Sequence, residues 1–135
     1  MTVQLATTAR NAMLDAIESD SGTSAILMIR TGAQPANCGA ADSGSVLATL
    51  SLPSDWMAAA SGGTKAMSGT WQDASADGSG TAAHFRLYKS NGTTCQMQGT
   101  VTATGGGGDM KVHSTWFAAT RHFTFTSFTL PAQNP

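Results

Sequence analysis

A hairpin signal in the second half of the chain places the strongest constraint on the fold. Apolar and polar residues alternate over positions 83–88, the turn Ser90-Asn91-Gly92-Thr93 follows, and alternation resumes over positions 94–101. Asn-Gly between two alternating runs is the strongest short-range hairpin cue, because both residues accept the positive φ angles of a tight turn. The sequence therefore predicts two antiparallel strands joined at Asn91-Gly92.

The first twenty residues follow a helical period instead. At about 100° per residue the small and apolar side chains fall on one stripe, with Thr8, Asn11, Asp15 and Glu18 opposite. This pattern predicts an amphipathic α-helix over about residues 3–19, with Thr2 as its N-cap and a stop at Gly22. We expect the stripe to pack on the rest of the protein. Leu14 lies off the stripe, where we expect an ordinary exposed leucine; the alternative is a contact to a neighbouring subunit. The stripe comprises Leu5, Ala6, Ala9, Ala12, Met13, Ala16 and Ile17.

Short apolar runs separated by Gly and Pro predict further strands from about residue 24 to about residue 130. The continuous apolar run at 25–30 predicts a central strand buried on both faces. Other strands are expected over 46–52, 64–71 with a bulge at Gly69, 110–115, and 121–130 with a bend near Ser127, before a mobile tail at 131–135. The expected core residues are Ile26, Met28, Leu47, Leu50, Trp56, Phe85, Leu87, Met97, Val112, Phe123 and Phe125.

These elements predict one mainly β domain over residues 1–135, with a single N-terminal amphipathic helix. Many short strands joined by turns are typical of an antiparallel β-sandwich of the jelly-roll or Greek-key type. A chain of 135 residues is long enough for one hydrophobic core.

Charge and hydropathy exclude several classes of partner. Charged residues make up 11% of the chain and the net charge is −1, against about 25% charged residues in a typical soluble domain. So few cations disfavour binding to nucleic acid or to an anionic membrane surface. The apolar runs fall far short of the roughly 20 residues that a membrane span needs, and no secretion signal is recognisable at the start. We therefore expect neither nucleic-acid nor membrane partners.

The residue types that carry catalysis are present without a catalytic arrangement. His84, His113 and His122 occupy polar positions of predicted strands, where we expect them at the surface. No G-x-S-x-G elbow occurs, and the three histidines are scattered, without the closely spaced pair that a zinc site needs. We expect Asp73 and Asp77 to cap a loop. The sequence therefore predicts a protein that is not an enzyme, with no catalytic, cofactor-binding or metal-binding residues.

The two cysteines, Cys38 and Cys95, lack C-x-x-C spacing. Without a secretion signal or a dense cysteine framework we expect two reduced thiols, Cys95 in the core and Cys38 in an exposed loop. The sequence does not decide whether they pair.

The three tryptophans, Trp56, Trp71 and Trp116, are widely separated along the chain. Such residues are more often core or subunit-contact anchors than a carbohydrate-stacking platform, although a platform is the alternative.

Several short segments follow one another in a recognisable order along nearly the whole chain. They are Ala9-Arg-Asn-Ala-Met-Leu-Asp-Ala-Ile17, Leu27-Met-Ile-Arg30-Thr-Gly, Ala58-Ala-Ala-Ser-Gly62, Ala76-Asp-Gly-Ser-Gly-Thr-Ala82, His84-Phe-Arg86, Gln98-Gly-Thr-Val101 and Thr126-Ser-Phe-Thr129. Their order resembles a family of small tailed-bacteriophage virion proteins, the capsid decoration (cement) proteins. The resemblance implies a jelly-roll-like sandwich that sits outside the phage head over contacts between major capsid subunits, without catalytic residues.

This resemblance implies a structural protein of the virion, assembled in the host cytoplasm and located on the capsid surface. Its expected partners are the major capsid protein and further copies of itself, as a dimer or trimer. We expect the contacts to come from the helix or from the loops at 31–44 and 72–80, which are polar and rich in Gly or Pro. The alternative is a tail or fibre-associated module that binds host glycans, through Trp56, Trp71 or Trp116, or other tail proteins.

Overall fold

A computed structural model describes residues 3–125 and 127–132, which form a mainly β protein with one N-terminal helix, as predicted. The expected N-cap, Thr2, lies outside the described residues, and the helix begins only at Thr7. The elements are α1 (Thr7–Ser21), β1 (Ile26–Arg30), β2 (Val46–Ser51), β3 (Thr64–Ala66), β4 (Trp71–Asp73), β5 (Gly80–Thr81), β6 (His84–Tyr88), β7 (Cys95–Ala103), β8 (Met110–Val112), β9 (Trp116–Phe117), β10 (Phe123–Phe125) and β11 (Thr129–Pro131).

A five-stranded sheet with the order β2-β1-β6-β7-β8 forms the centre of the fold. Neighbouring strands are antiparallel except β7 and β8, which pair in parallel with Val101 opposite Met110. The sheet is therefore rich in antiparallel pairs without being wholly antiparallel. Three two-stranded antiparallel ladders, β3 with β11, β4 with β10 and β5 with β9, complete the described strands.

The predicted hairpin is confirmed. β6 and β7 pair in antiparallel fashion with Leu87 opposite Met97. In the turn, Asn91 Oδ1 accepts hydrogen bonds from the backbone N–H groups of Thr93 and Thr94, each at 3.0 Å. Gly92 has φ +74°, a left-handed conformation that glycine adopts without the steric cost of a Cβ.

The burial of β1 and β6 differs from the expectation. β1 lies inside the sheet as predicted, but Leu27 and Ile29 are its core residues, whereas Ile26 and Met28 are only half-buried. β6 is instead the strand buried at every position. Its alternate residues, His84, Arg86 and Tyr88, lie on a second face of the sheet, where the loop at 31–44 covers them.

Most of the remaining core is confirmed. Trp71 sits at its centre, with its ring centroid 6.0 Å from that of Trp56 and 5.8 Å from that of Phe128. Met97 and Phe123 are half-buried against the core. The expected residues that are buried are Leu47, Leu50, Trp56, Phe85, Leu87, Val112 and Phe125.

Two predicted strands are each split. The strand expected at 64–71 becomes β3 and β4, because Gly69, with φ +71°, turns the chain at the expected irregularity. The strand expected at 121–130 becomes β10 and β11, separated around the expected bend.

The expected strand at 110–115 ends at Val112. Pro131 belongs to β11 and pairs with Thr64, so the fixed segment extends into the expected tail; residues 133–135 lie outside the described residues.

Candidate functional site

The N-terminal helix attaches to the β body by its polar side. Lys65 of β3 is 2% exposed, and its Nζ lies 2.7 Å from Asp15 Oδ1 and 2.9 Å from Glu18 Oε2. Burial lowers the pKa of Lys65, but hydrogen bonds to the two carboxylates outweigh that effect, so the pKa is raised overall. The same ammonium group, followed by the backbone N–H of Ala60, lowers the pKa of Asp15.

The helix also supplies acceptors to an irregular segment of backbone at 57–63. The N–H groups of Met57, Ala60 and Gly63 donate to Glu18 Oε1 at 3.1 Å, Asp15 Oδ1 at 2.9 Å and Asn11 Oδ1 at 2.9 Å, respectively. Unpaired backbone donors at a covered surface are costly, so these acceptors fix which side of the helix faces the body. The spacing of Asn11, Asp15 and Glu18 on one helical side was the sequence signal for this contact.

The predicted helix orientation is therefore wrong. Leu14, expected to be exposed, is 2% exposed, whereas Met13 on the predicted packing stripe is 56% exposed. Of that stripe only Ile17 packs against the core cluster. Alanine side chains bury little apolar area. Packing of the stripe would therefore stabilise the protein less than the hydrogen bonds and ion pairs of the polar side do.

As a result an uncharged strip of small and apolar side chains faces solvent along the helix and the residues before it. We call it the apolar helix face. Val3 and Met13 are its most exposed large residues, at 61% and 56%. The face comprises Val3, Leu5, Ala9, Ala12, Met13 and Ala16.

A second cluster ties the loop at 31–44 to the sheet. Cys38 and Cys95 form a disulfide with their Cα atoms 5.3 Å apart, so the expectation of two reduced thiols is wrong. Arg86, 2% exposed, pairs with Asp42 and donates to the backbone carbonyls of Asn37, Cys38 and Ala40. The loop is therefore a fixed cover over the second face of the sheet.

Charge is partly compensated within this cluster. The Tyr88 hydroxyl donates to Asp42 Oδ1, and this bond, followed by those from Arg86 and the charge of Arg30, lowers the pKa of the carboxyl group. Asp42 is thus shared by two guanidinium groups in one partly buried site, where its single negative charge compensates one of the two positive charges.

His84 belongs to the same cluster and is fully buried, so its expected surface position is wrong. Its Nδ1 lies 2.9 Å from the carbonyl oxygen of Gly32, while Nε2 has no hydrogen-bond partner among the described residues. Burial, opposed by the bond to Gly32 and assisted by the charges of Arg30 and Arg86, lowers the pKa of His84. A neutral, enclosed imidazole without a serine partner does not form a nucleophilic triad.

The other two histidines are exposed, as expected. His122 Nε2 lies 3.1 Å from Gln72 Oε1, and no serine hydroxyl bonds to a histidine within residues 3–125 and 127–132. In that same part of the chain no three His, Cys, Asp or Glu side chains come together as metal ligands.

The loop at 72–80 is part of the body. Asp73 Oδ2 accepts the backbone N–H of Thr49 at 3.0 Å, and Thr49 Oγ1 donates to Asp77 Oδ2 at 2.6 Å. Asp73 Oδ1 also accepts the N–H of Ser75 at 3.0 Å, which confirms the expected capping role for Asp73, whereas Asp77 bonds to the side chain of Thr49.

The three tryptophans separate into two groups. Trp56 and Trp71 are fully buried, which confirms them as core anchors. The Trp56 indole N–H donates to the carbonyl of Gly22 at 3.2 Å, and the Trp71 indole N–H donates to the carbonyl of Trp56 at 3.0 Å. Trp116, at 64% exposed, is the exception. It therefore cannot share a stacking platform with the other two.

Trp116 lines an open cavity of about 510 Å³, which we call the Trp116 pocket. A turn at 118–122 forms one side, with Thr120 at φ +69°. Backbone hydrogen bonds from Thr120 N–H to Ala76 O and from Ala76 N–H to Arg121 O, both 2.8 Å, hold this turn in place. The lining includes His113, Ser114, Trp116, Phe117, Arg121 and His122.

Comparison with known proteins identifies no relative: no family model, curated protein or solved structure matches the chain. Among the described residues, no helix has the length and apolar character to cross a membrane.

Proposed function

We propose that the protein is a structural component of a phage particle, a capsid decoration protein that binds the outer surface of the head and stabilises contacts between major capsid subunits. The proposal includes the finer topology, a jelly-roll or Greek-key sandwich, and the absence of enzymatic activity. The apolar helix face is the observation that carries it, because a rigid body presents this uncharged strip outward with its polar side already bound.

The lack of charge on the apolar helix face suits a protein partner. A neighbour that covers Val3, Ala9 and Met13 buries no unpaired ion, which is the costly contribution at an interface. Small residues such as Ala9 and Ala12 also allow close approach of another backbone.

The size of this face favours a lattice over a single second copy. A helical strip of this kind is about 20 Å long and about 10 Å wide, so two such faces bury roughly 400 Å² together. A stable independent dimer needs about 1,200 to 2,000 Å². A weak contact of this size becomes effective where many subunits are bridged on one particle and the modest affinities add through multivalency.

A decoration protein of this kind needs no reaction. Because it binds the assembled head and not the free subunits, occupancy stabilises the assembled state by mass action. The disulfide and the buried ion pairs keep the body rigid, so little ordering entropy opposes binding.

The other regions expected to contact the capsid, the two loops, are fixed surfaces of the body. The loop at 31–44 is held by Arg86 and the disulfide, and the loop at 72–80 by Asp73 and Asp77. Replacing either loop would disturb the body, so single exposed side chains are the appropriate probes. Self-association as a dimer or trimer stays a prediction.

Electron cryomicroscopy of purified virions tests this proposal. We expect density for the protein on the outer head surface, with α1 against a capsid subunit. Particles that lack the protein should take up the wild type but not the Ala9→Glu variant, which places a charge on the apolar helix face. Ala103→Glu, the same change at an exposed position of β7, is the matched control and should bind normally. Absence from the head overturns the proposal, and equal binding of both variants removes the helix from it.

The Trp116 pocket favours a second candidate function, a tail or fibre-associated module that binds host glycans. Exposed tryptophans stack on sugar rings, and only Trp116 of the three is available for this. Density on the tail in the same images would favour this candidate.

A further inference from the structure

We infer that the Trp116 pocket binds a carboxylated pyranose, such as a hexuronic or sialic acid, in preference to a neutral sugar. The inference rests on the second candidate function and specifies its ligand. It does not depend on the position of the protein on a particle.

The first observation is the exposed indole. At 64% exposure Trp116 presents a large apolar plane to solvent. It lies in β9, where it pairs with Thr81 of β5, so strand pairing fixes its backbone. The neighbouring residue Phe117 is buried, with its ring centroid 4.5 Å from that of Phe123. An exposed aromatic ring on a fixed strand suits stacking against the C–H face of a pyranose.

The second observation is the charge of the pocket. Arg121 is exposed and, within the part of the chain that the structure describes, forms no ion pair, unlike Arg30 and Arg86. Among the described residues that line the cavity there is no Asp or Glu. A planar guanidinium group can hold a carboxylate through two parallel hydrogen bonds, so an unpaired arginine beside a stacking ring selects an anionic sugar.

The third observation is the polar rim. His113, Ser114 and His122 bring ring nitrogens and a hydroxyl group to the cavity. Gln72 Oε1, 3.1 Å from His122 Nε2, orients one of these rings. Hydrogen-bonding groups around one arginine fit a ligand with several hydroxyl groups and one negative charge. A polyanion such as nucleic acid would need more cations.

A titration of the intact protein by NMR, with the Trp116 indole N–H resonance as readout, tests the inference. The probes are glucuronate, N-acetylneuraminate and neutral glucose. We expect one or both acids to shift the Trp116 signal, with glucose binding at least about tenfold more weakly. Binding of only one acid identifies which class of carboxylated sugar the pocket accepts.

Three variants locate the contacts. Arg121→Gln should weaken acid binding by about tenfold without changing glucose binding, because it removes one charge-assisted pair. Trp116→Ala should abolish acid binding, which is then followed by shifts of the pocket backbone amides. Lys111→Gln, which removes a different exposed cation outside the pocket, is the matched control and should bind as the wild type.

The outcomes distinguish the preference for an anionic sugar from glycan binding itself. Equal binding of glucose and the acids, unaffected by Arg121→Gln, overturns the anionic preference and leaves glycan binding in place. No binding of any probe at Trp116 overturns both this inference and the glycan function.

Discussion

Lys65 Nζ and Asp15 Oδ1 lie 2.7 Å apart, and this ion pair joins the N-terminal helix to the β body from its polar side. The lysine is 2% exposed, so the charge is removed from water and depends on Asp15 and Glu18 for compensation. The orientation of α1, and with it the exposure of the apolar helix face, follows from this contact.

Replacing this lysine is expected to loosen the helix. Lys65→Met should lower the free energy of unfolding by about 2 kcal/mol, because Asp15 and Glu18 lose their charged partner. Urea denaturation measures the change. The control is Lys89→Met, which breaks the more exposed pair between Lys89 and Asp20 and should have a much smaller effect. Equal losses in the two variants would show that Lys65 does not carry the attachment.

Two adjacent helix residues test the orientation directly. Leu14→Ala should lower the free energy of unfolding by about 3 kcal/mol, because Leu14 is buried. Met13→Ala, at an exposed position next to it, should change it by less than about 0.5 kcal/mol. Denaturation of both variants under one set of conditions gives the comparison. A larger loss for Met13→Ala would restore the orientation predicted from the hydrophobic stripe.

The parts of the fold that depend on local chemistry could be predicted from the sequence. Asn91-Gly92 sets its own turn, and Gly69 takes a left-handed φ of +71° that a regular strand does not contain, so the hairpin and the irregularity appear as expected. The helix also forms near its predicted position, because its period is a local property.

The orientation of these elements could not be predicted, because it depends on contacts between residues far apart in sequence. The side of α1 that packs is decided by backbone donors at 57–63, more than 30 residues away. The burial of His84 and Arg86 depends on a loop at 31–44, whose carbonyls accept the arginine's hydrogen bonds. Alternation along β6 indicated two faces but not that both would be covered.

The residues of the Trp116 pocket could not be predicted from the sequence for the same reason. The sequence pointed to Trp116 together with Trp56 and Trp71, but only packing reveals which indole stays outside. Arg121 and His122 carried no spacing signal, because the turn at 118–122 brings them to Trp116 through backbone bonds to Ala76.

Loss of the disulfide is expected to destabilise the protein. Cys38 and Cys95 are separated by 57 positions, and closing a loop of this length in the unfolded chain is worth up to about 4 kcal/mol. The Cys38→Ala, Cys95→Ala double variant should lose most of this free energy of unfolding in urea. The chain has two cysteines, so a reductant should shift the wild-type midpoint but not that of the variant. An unchanged wild-type midpoint under reductant would contradict the structural role of the bond.

The buried imidazole of His84 is expected to make stability depend on pH. Its folded pKa lies below the ordinary value of about 6.5, so between these two pKa values the unfolded chain binds more protons than the folded protein. The contribution of His84 to the free energy of unfolding is therefore fully present above about pH 6.5. It is lost as the pH is lowered through this window. Arg30, Arg86 and Asp42 are the charged groups that face the ring.

His84→Asn isolates this effect, because the asparagine amide retains a donor for the carbonyl of Gly32 and does not titrate. Urea midpoints measured from about pH 7.5 down to about pH 5 should fall less steeply for the variant than for the wild type. His113→Asn, the same change at an exposed histidine, should keep the wild-type slope. Asp42, whose pKa is lowered, stays ionised throughout this range. The difference between the wild-type and His84→Asn slopes therefore reports on the imidazole, and identical slopes would mean that His84 can be protonated without cost in the folded protein.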